Sequence, residues 1–266
     1  MAKKIIGDVN LSDLYLKQLP EILKDVSING HFFCSNNNLT SLDGAPNTVG
    51  GHFYCSYNKL TSLIGAPKTV GGDFYCSYNR LASLVGVPKS VSGYFDCSNN
   101  KLASLVGTPQ NVSSFNCSNN KLTSLVGVPK SVSGHFNCSN NYLTTLEGVP
   151  QNVESVDCSN NNLTSLKGSP TGVVNSFYCD DNKLTSLVGS PQNVDNDFNC
   201  SYNNLTSLIG APNTVDEDFY CGNNNLTSLT GAPKTVGGDF YCDNNPGKFT
   251  ETQVRAICDV KGDVYV

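Results

Sequence analysis

Cysteine is the residue type in this 266-residue chain with the most chemistry to offer, and there are twelve. In number they would suit a disulfide scaffold, a zinc site or a redox relay. Eleven of them, Cys34, Cys55, Cys76, Cys97, Cys117, Cys138, Cys158, Cys179, Cys200, Cys221 and Cys242, recur at intervals of 20 or 21, and Cys258 stands outside the series. A period of that size means stacked coils, with equivalent residues on neighbouring parallel strands about 4.8 Å apart. In-register thiols at that spacing lie wider than the ~3.8 Å between β-carbons that a disulfide prefers. Eleven is also odd, and no Cys-x-x-Cys occurs. The series therefore reads as buried, reduced, small apolar residues, which implies a reducing cytosol.

A second candidate is the column His31, His52 and Asp73, whose spacing places it on successive strands. Such a column could present a metal or an acid–base pair, against the plainer reading of ordinary surface residues, because no buried orienting group can be inferred. No nucleophile–base pairing, nucleotide motif or pair of catalytic carboxylates stands outside the repeated framework, and Ser follows Cys too regularly to be a nucleophile. The expectation is no enzyme, no cofactor and no metal.

Binding chemistry is better represented. On the outward side of the strands the N-terminal half carries Phe33, Tyr54, Tyr57, Tyr75, Tyr78 and Tyr94. Tyrosine supplies contact area with a hydrogen-bonding tip, as interfaces favour. Towards the C-terminus the same face turns acidic, with Asp180, Asp181, Asp197, Asp218 and Asp239 among Tyr178, Tyr202, Tyr220 and Tyr241. A partner with a basic surface would fit it, and so would solvated acids that keep the sheet from aggregating. Lys59, Arg80, Lys101 and Lys121 form a basic row beside the N-terminal tyrosines, a layout able to follow a single-stranded nucleic acid. The formal net charge of −5 argues against nucleic acid as the partner, and leaves a solvated flank as the expected role of that row.

The elements that hold these residues follow from the sentence repeated around each cysteine, F-x-C-x-x-N-x-L-x-x-L-x-G-x-P-x-x-V, as in Phe74 to Val91. Phe and Cys alternate inward on a strand, the two Leu and the Val fill the same core, and Asn satisfies backbone groups where the strand bends. Gly suits positive φ, and Pro stiffens the return. The pattern resembles the second half of the leucine-rich-repeat signature, of the short bacterial class. That resemblance implies a right-handed, mainly β solenoid with a parallel sheet on its concave face, extended returns on its convex face, and binding through the concave sheet. The wording "CSNNNLTSLxGAP" is similar to repeat proteins of large phages and giant viruses.

The ends obey the same register. Ile5 to Leu11 aligns with Val70 to Cys76, and the longer return from Pro20 to Ser27 is expected to hold a helical turn. Thr250-Glu-Thr-Gln253 reads as a capping box opening a short helix through Ile257, and Lys261 to Val266 repeats the strand motif. The chain thus reads as one domain: a divergent capping coil over 1–27, regular repeats over 28–245 and a C-terminal cap over 246–266. No apolar run approaches the ~20 residues of a membrane span, and Met1-Ala2-Lys3-Lys4 turns polar too soon for a signal peptide.

Together these features point to a non-enzymatic, cytoplasmic protein-binding module. The viral resemblance implies an intracellular factor that engages a host protein. Two alternatives stand beside it, a binder of single-stranded nucleic acid or a small nucleotide through the Tyr patch and basic row, and a structural spacer.

Overall fold

A computed structural model describes residues 3–170, 172 and 175–266. Met1 and Ala2 of the expected N-terminal cap, and Thr171, Val173 and Val174 of the regular repeats, lie outside the described residues. The chain forms two compact units, Met1–Leu122 with Val126–His135, and Thr123–Leu125 with Phe136–Val266.

Each coil of the first unit contributes one two-residue strand to a parallel sheet, Val9–Asn10, Phe32–Phe33, Phe53–Tyr54, Phe74–Tyr75, Phe95–Asp96 and Phe115–Asn116. Equivalent residues pair directly, Phe32 with Phe53 and Phe53 with Phe74. The returns add a second parallel sheet from Lys3–Ile5 through Val26–Ile28, Thr48–Val49 and Thr69–Val70 to Ser90–Val91. The second unit repeats the arrangement. Its main strands include Ser155–Asp157, Ser176–Tyr178, Phe198–Asn199, Phe219–Tyr220, Phe240–Tyr241 and Val264–Tyr265, and its return strands run from Asn193–Val194 to Asp259–Val260.

Helix is scarce, as the repeat pattern requires. A 3-10 turn at Glu21–Leu23 occupies the long first return. The helix Glu251–Arg255 opens on Thr250 with the reciprocal Thr250–Gln253 capping box and is two residues shorter than expected. Among the described residues no helix is long and apolar enough to cross a membrane.

Alternation places Phe and Cys inside. Phe53, Cys55, Phe74 and Cys76 are fully buried, and the rings stack coil on coil, Phe53 against Phe74 at 5.3 Å between centroids. All twelve cysteines are buried thiols outside any disulfide. Burial pushes thiols such as those of Cys55, Cys76 and Cys179 upward, which keeps them protonated and disfavours the reactive thiolate. Gly65 shows why its column is glycine: φ is +89°, and a β-carbon would lie 2.6 Å from the Asp43 backbone nitrogen of the preceding coil.

Strands of two residues cannot hold a coil by themselves. The buried asparagines complete the job. The Asn79 amide nitrogen donates to the carbonyls of Cys76 at 3.1 Å, Ser77 at 3.2 Å and, one coil back, Cys55 at 3.0 Å. Its oxygen accepts from the Leu60 N–H at 3.0 Å. Asn79→Ala would leave the Leu60 N–H without a partner in the core and take one donor from each of the three carbonyls, which Asn58, Asn100 and the Tyr57 N–H still reach, at a cost of about 2 kcal/mol, whereas Cys76→Ala removes one sulfur and costs about 1 kcal/mol. Urea denaturation of the two variants is expected to rank them in that order, and the reverse order would remove the asparagine column from its structural role.

Candidate functional site

The column preceding the core phenylalanine has a structural task. In several coils of each unit its side chain accepts the backbone N–H of its counterpart one coil later. Asp8 Oδ1 takes the N–H of His31 at 2.7 Å, His31 Nδ1 that of His52 at 2.9 Å, His52 Nδ1 that of Asp73 at 2.8 Å, and Asp73 Oδ1 that of Tyr94 at 2.7 Å. The two imidazoles stack at 4.6 Å and 4°. His52 Nδ1 also lies 3.1 Å from Asp73 Oδ2. His31, His52 and Asp73 are thus brought together as inter-coil caps. Among the described residues no group of three or more His, Cys, Asp or Glu is arranged to hold a metal.

The acidic end of the second unit uses the same device. Asp197 Oδ1 accepts the Asp218 N–H at 3.2 Å, Asp218 that of Asp239 at 2.8 Å, and Asp239 that of Asp263 at 2.8 Å. The second carboxylate oxygen of each accepts a tyrosine hydroxyl: Tyr178 on Asp197 at 3.1 Å, Tyr220 on Asp218 at 2.7 Å and Tyr241 on Asp239 at 3.1 Å. Desolvation first, then the Asp239 hydrogen bond and charge, push the Tyr241 hydroxyl up to about 12. Tyr220, Tyr241 and Tyr265 stack in sequence at 4.6 and 4.4 Å. Tyr265 completes this ladder and was not anticipated, although its place two residues after Asp263 repeats Asp239 and Tyr241.

Asp180 departs from its expected place on the outward face. It stands in the column that is otherwise mostly serine, which turns inward, and it is half-buried. Desolvation, reinforced by the charges of Asp157 and Asp181 against a lowering backbone hydrogen bond, raises its carboxyl to about 6.

The N-terminal aromatics divide into two sets. Phe33, Tyr54, Tyr75 and Tyr94 are half-buried on the sheet face and stack as a ladder, 4.8 Å from Phe33 to Tyr54, 4.9 Å to Tyr75 and 5.5 Å edge-on to Tyr94. Tyr57 and Tyr78 lie instead in the turn that ends each strand, about half exposed, stacked at 4.4 Å and with φ of +56° and +51°. Tyr202 and Asp181 occupy the same turn position in the second unit, at φ of +54° and +51°. Asn fills seven of the eleven repeat positions of this left-handed column, where a tyrosine is sterically disfavoured.

Beside Tyr57 and Tyr78 run Lys59, Arg80, Lys101 and Lys121, all exposed and, among the described residues, in no ion pair. The net charge conceals a partition. The first unit holds 11 Lys and Arg against 7 Asp and Glu, the second 6 against 15, so net charges of +4 and −9 make up the −5. A further row, Ile64, Val85, Val106 and Val126, is 55 to 68% exposed on the turn before the glycines of the first unit. Its signal in the sequence was the aliphatic residue that recurs just before Gly, outside the inward columns.

No protein-family model matches the sequence, and a search of curated proteins finds no match. Solved structures do match. The leucine-rich repeat domain of APL1B is 19% identical with a TM-score of 0.63, over 96% of this chain and 76% of that one. YopM of Yersinia pestis, described as a leucine-rich effector protein, is 18% identical at a TM-score of 0.60, over 96% and 88%. The functional domain of InlJ from Listeria monocytogenes, which includes a cysteine ladder, is 18% identical at 0.53, over 91% and 63%. This chain spans 64% of the length of YopM from Yersinia enterocolitica WA-314, to which it is 20% identical at a TM-score of 0.50, over 90% of its own length. The likeness defines the fold, a leucine-rich-repeat solenoid, mainly β with parallel strands.

Three substitutions test the columns. His52→Asp installs the acceptor used at Asp73, Asp197, Asp218 and Asp239, and is expected to leave the urea midpoint unchanged. His52→Phe strands the Asp73 N–H and is expected to lose about 1–2 kcal/mol; equal midpoints for the two would remove the capping role. For Asp180 the folded carboxyl sits above the ordinary ~3.9 of an unfolded chain, so folding takes up a proton between pH 4 and 6 and is opposed by the buried charge above pH 6. Asp180→Ser is expected to raise the thermal midpoint at pH 7.5, with the gain shrinking as pH falls through 6 and gone near 4; a gain independent of pH would contradict this assignment.

Proposed function

We propose that the chain is a non-enzymatic protein-interaction repeat module whose contact surface is the outward face of the main sheet in the first unit. The observation that carries this reading is the ladder Phe33, Tyr54, Tyr75 and Tyr94. Its rings are already ordered by stacking, so a partner that covers them gains apolar contact while little side-chain freedom is lost. The exposed aliphatic row from Ile64 to Val126 adds apolar surface in the same unit. In the second unit the carboxylates of Asp197, Asp218 and Asp239 are occupied by backbone and tyrosine donors, which leaves Asp181 and Tyr202 as its exposed contributors.

The fold's likeness to a protein described as an effector supports an interaction role. Twelve thiols outside any disulfide support a reducing compartment, the cytoplasm. The resemblance of the repeat wording to proteins of phages and giant viruses supports a viral factor that acts on a host protein.

Asparagine is the natural occupant of the ladder's column at Asn116, Asn137 and Asn199, so Phe33→Asn, Tyr54→Asn and Tyr75→Asn together are compatible with the coil. The immobilised wild-type chain is expected to retain a specific protein from its native host's lysate. The triple variant, with unchanged circular dichroism, is expected to lose it. Equal retention by both proteins would overturn the proposed surface.

A further inference from the structure

The sheet-face ladder leaves one group of chemically active residues unaccounted for, the turn edge of the first unit. We propose that this edge, built from Tyr57, Tyr78, Lys59, Arg80 and Lys101, is a binding site for single-stranded nucleic acid.

Three independent observations converge on it. Tyr57 and Tyr78 occupy left-handed backbone positions that the fold fills with Asn in seven of eleven repeats, so these aromatics are held at a position where their own conformational preference opposes them. Their rings stack parallel, at 4.4 Å and 8°. The neighbouring occupants of the column are the smaller Asn36 and Asn99, and each ring is about half exposed, so another planar ring has surface on which to extend the stack. An unpaired base has such a face, whereas the bases of a duplex are sealed against one another.

The second observation is the cation row. Lys59, Arg80, Lys101 and Lys121 sit two residues beyond the turn position in successive coils, exposed and outside every ion pair among the described residues. At about 4.8 Å per coil they form a line some 14 Å long beside the stacked rings, the arrangement needed to follow a phosphate backbone.

The third is the local field. Residues 44–135 carry seven Lys and Arg and only two carboxylates, Asp73 and Asp96. Asp73 is occupied by the Tyr94 N–H and the Tyr75 hydroxyl, and Asp96 accepts the Ser98 N–H. The acidic total charge that argued against nucleic acid arises in the other unit, which holds 15 of the 22 acidic residues.

The columns themselves supply fold-compatible variants, since Asn occupies the tyrosine position in most repeats and the cation position at Asn38, Asn162, Asn204 and Asn225. The test is fluorescence anisotropy of the full chain with a labelled oligothymidylate of about a dozen nucleotides, titrated with salt from about 20 to 200 mM. The expected result is saturable binding to the single strand, with weaker binding to the corresponding duplex. Tyr57→Asn with Tyr78→Asn is expected to weaken it about tenfold without changing the salt slope. Lys59→Asn with Arg80→Asn is expected to flatten the slope of log K against log salt by about 1.4. No binding at the lowest salt, undiminished binding by the tyrosine variant, or equal affinity for duplex would each overturn the proposal. Competition by polyglutamate as effective as that by the oligonucleotide would overturn it in favour of an acidic polypeptide. Displacement by AMP at the same nucleotide concentration would overturn it in favour of a free nucleotide. The residues differ from those of the sheet-face test, so the two readings fail separately.

Discussion

One buried amide per repeat holds this structure in register. The asparagine that closes each strand reaches a carbonyl 24 residues back and a leucine N–H 19 residues back, as Asn79 does with Cys55 and Leu60. In a shorter coil, at Asn120, both separations fall by one, to 23 and 18. The amide thus absorbs a change of one residue elsewhere in the coil without losing a partner. A side chain that donates and accepts at once is required, because strands of two residues leave the bend with unpaired carbonyls and N–H groups that the core would penalise.

Everything outside the core inherits that register. Side chains of one column stack at strand spacing, so a column of phenylalanine becomes a spine and a column of tyrosine becomes a ladder of parallel rings. The same geometry lets a side chain cap the backbone of the next coil. Asp and His are interchangeable at that place because only an acceptor lone pair is needed, and His31, His52, Asp73 and Asp239 all provide one. A carboxylate has a second oxygen to offer, and a tyrosine takes it, two residues on for Tyr75 on Asp73 and one coil back for Tyr178 on Asp197. What looks in composition like an acidic, aromatic contact surface is therefore partly internal cement. Among the described residues, surfaces still open to a partner include the stacked rings of the first sheet, the turn tyrosines with their cations, and the aliphatic row.

Much of the fold was legible in the residues. Phe, Cys, Asn, Leu, Gly and Pro recur at fixed offsets, and repetition converts one uncertain assignment into eleven concordant ones. The capping box at Thr250 and the terminal strand at Val264–Tyr265 followed from the same register. The candidate sites were legible only as lists. Tyr54 and Tyr57 are three residues apart and looked equivalent, yet one lies on the strand and the other in a left-handed turn. Asp180 looked like a surface acid because its neighbours vary, although the column it belongs to turns inward. The total charge hides the basic row, because it averages over two units of opposite sign.

The sequence by itself determined the period, the inward and outward alternation of each strand, and the reduced state expected of the thiols, because these depend on spacing and residue type alone. The tertiary structure decided which polar groups are free. Each hydrogen bond that occupies Asp73, Asp197, Asp218 or Asp239 joins residues within two positions or about one coil apart, and only stacking brings the coils to bonding distance. Spacing predicts that such columns face one another. Whether a carboxylate is spent on its neighbour or left for a partner depends on distances of tenths of an ångström, and those are set by the packing of the coils.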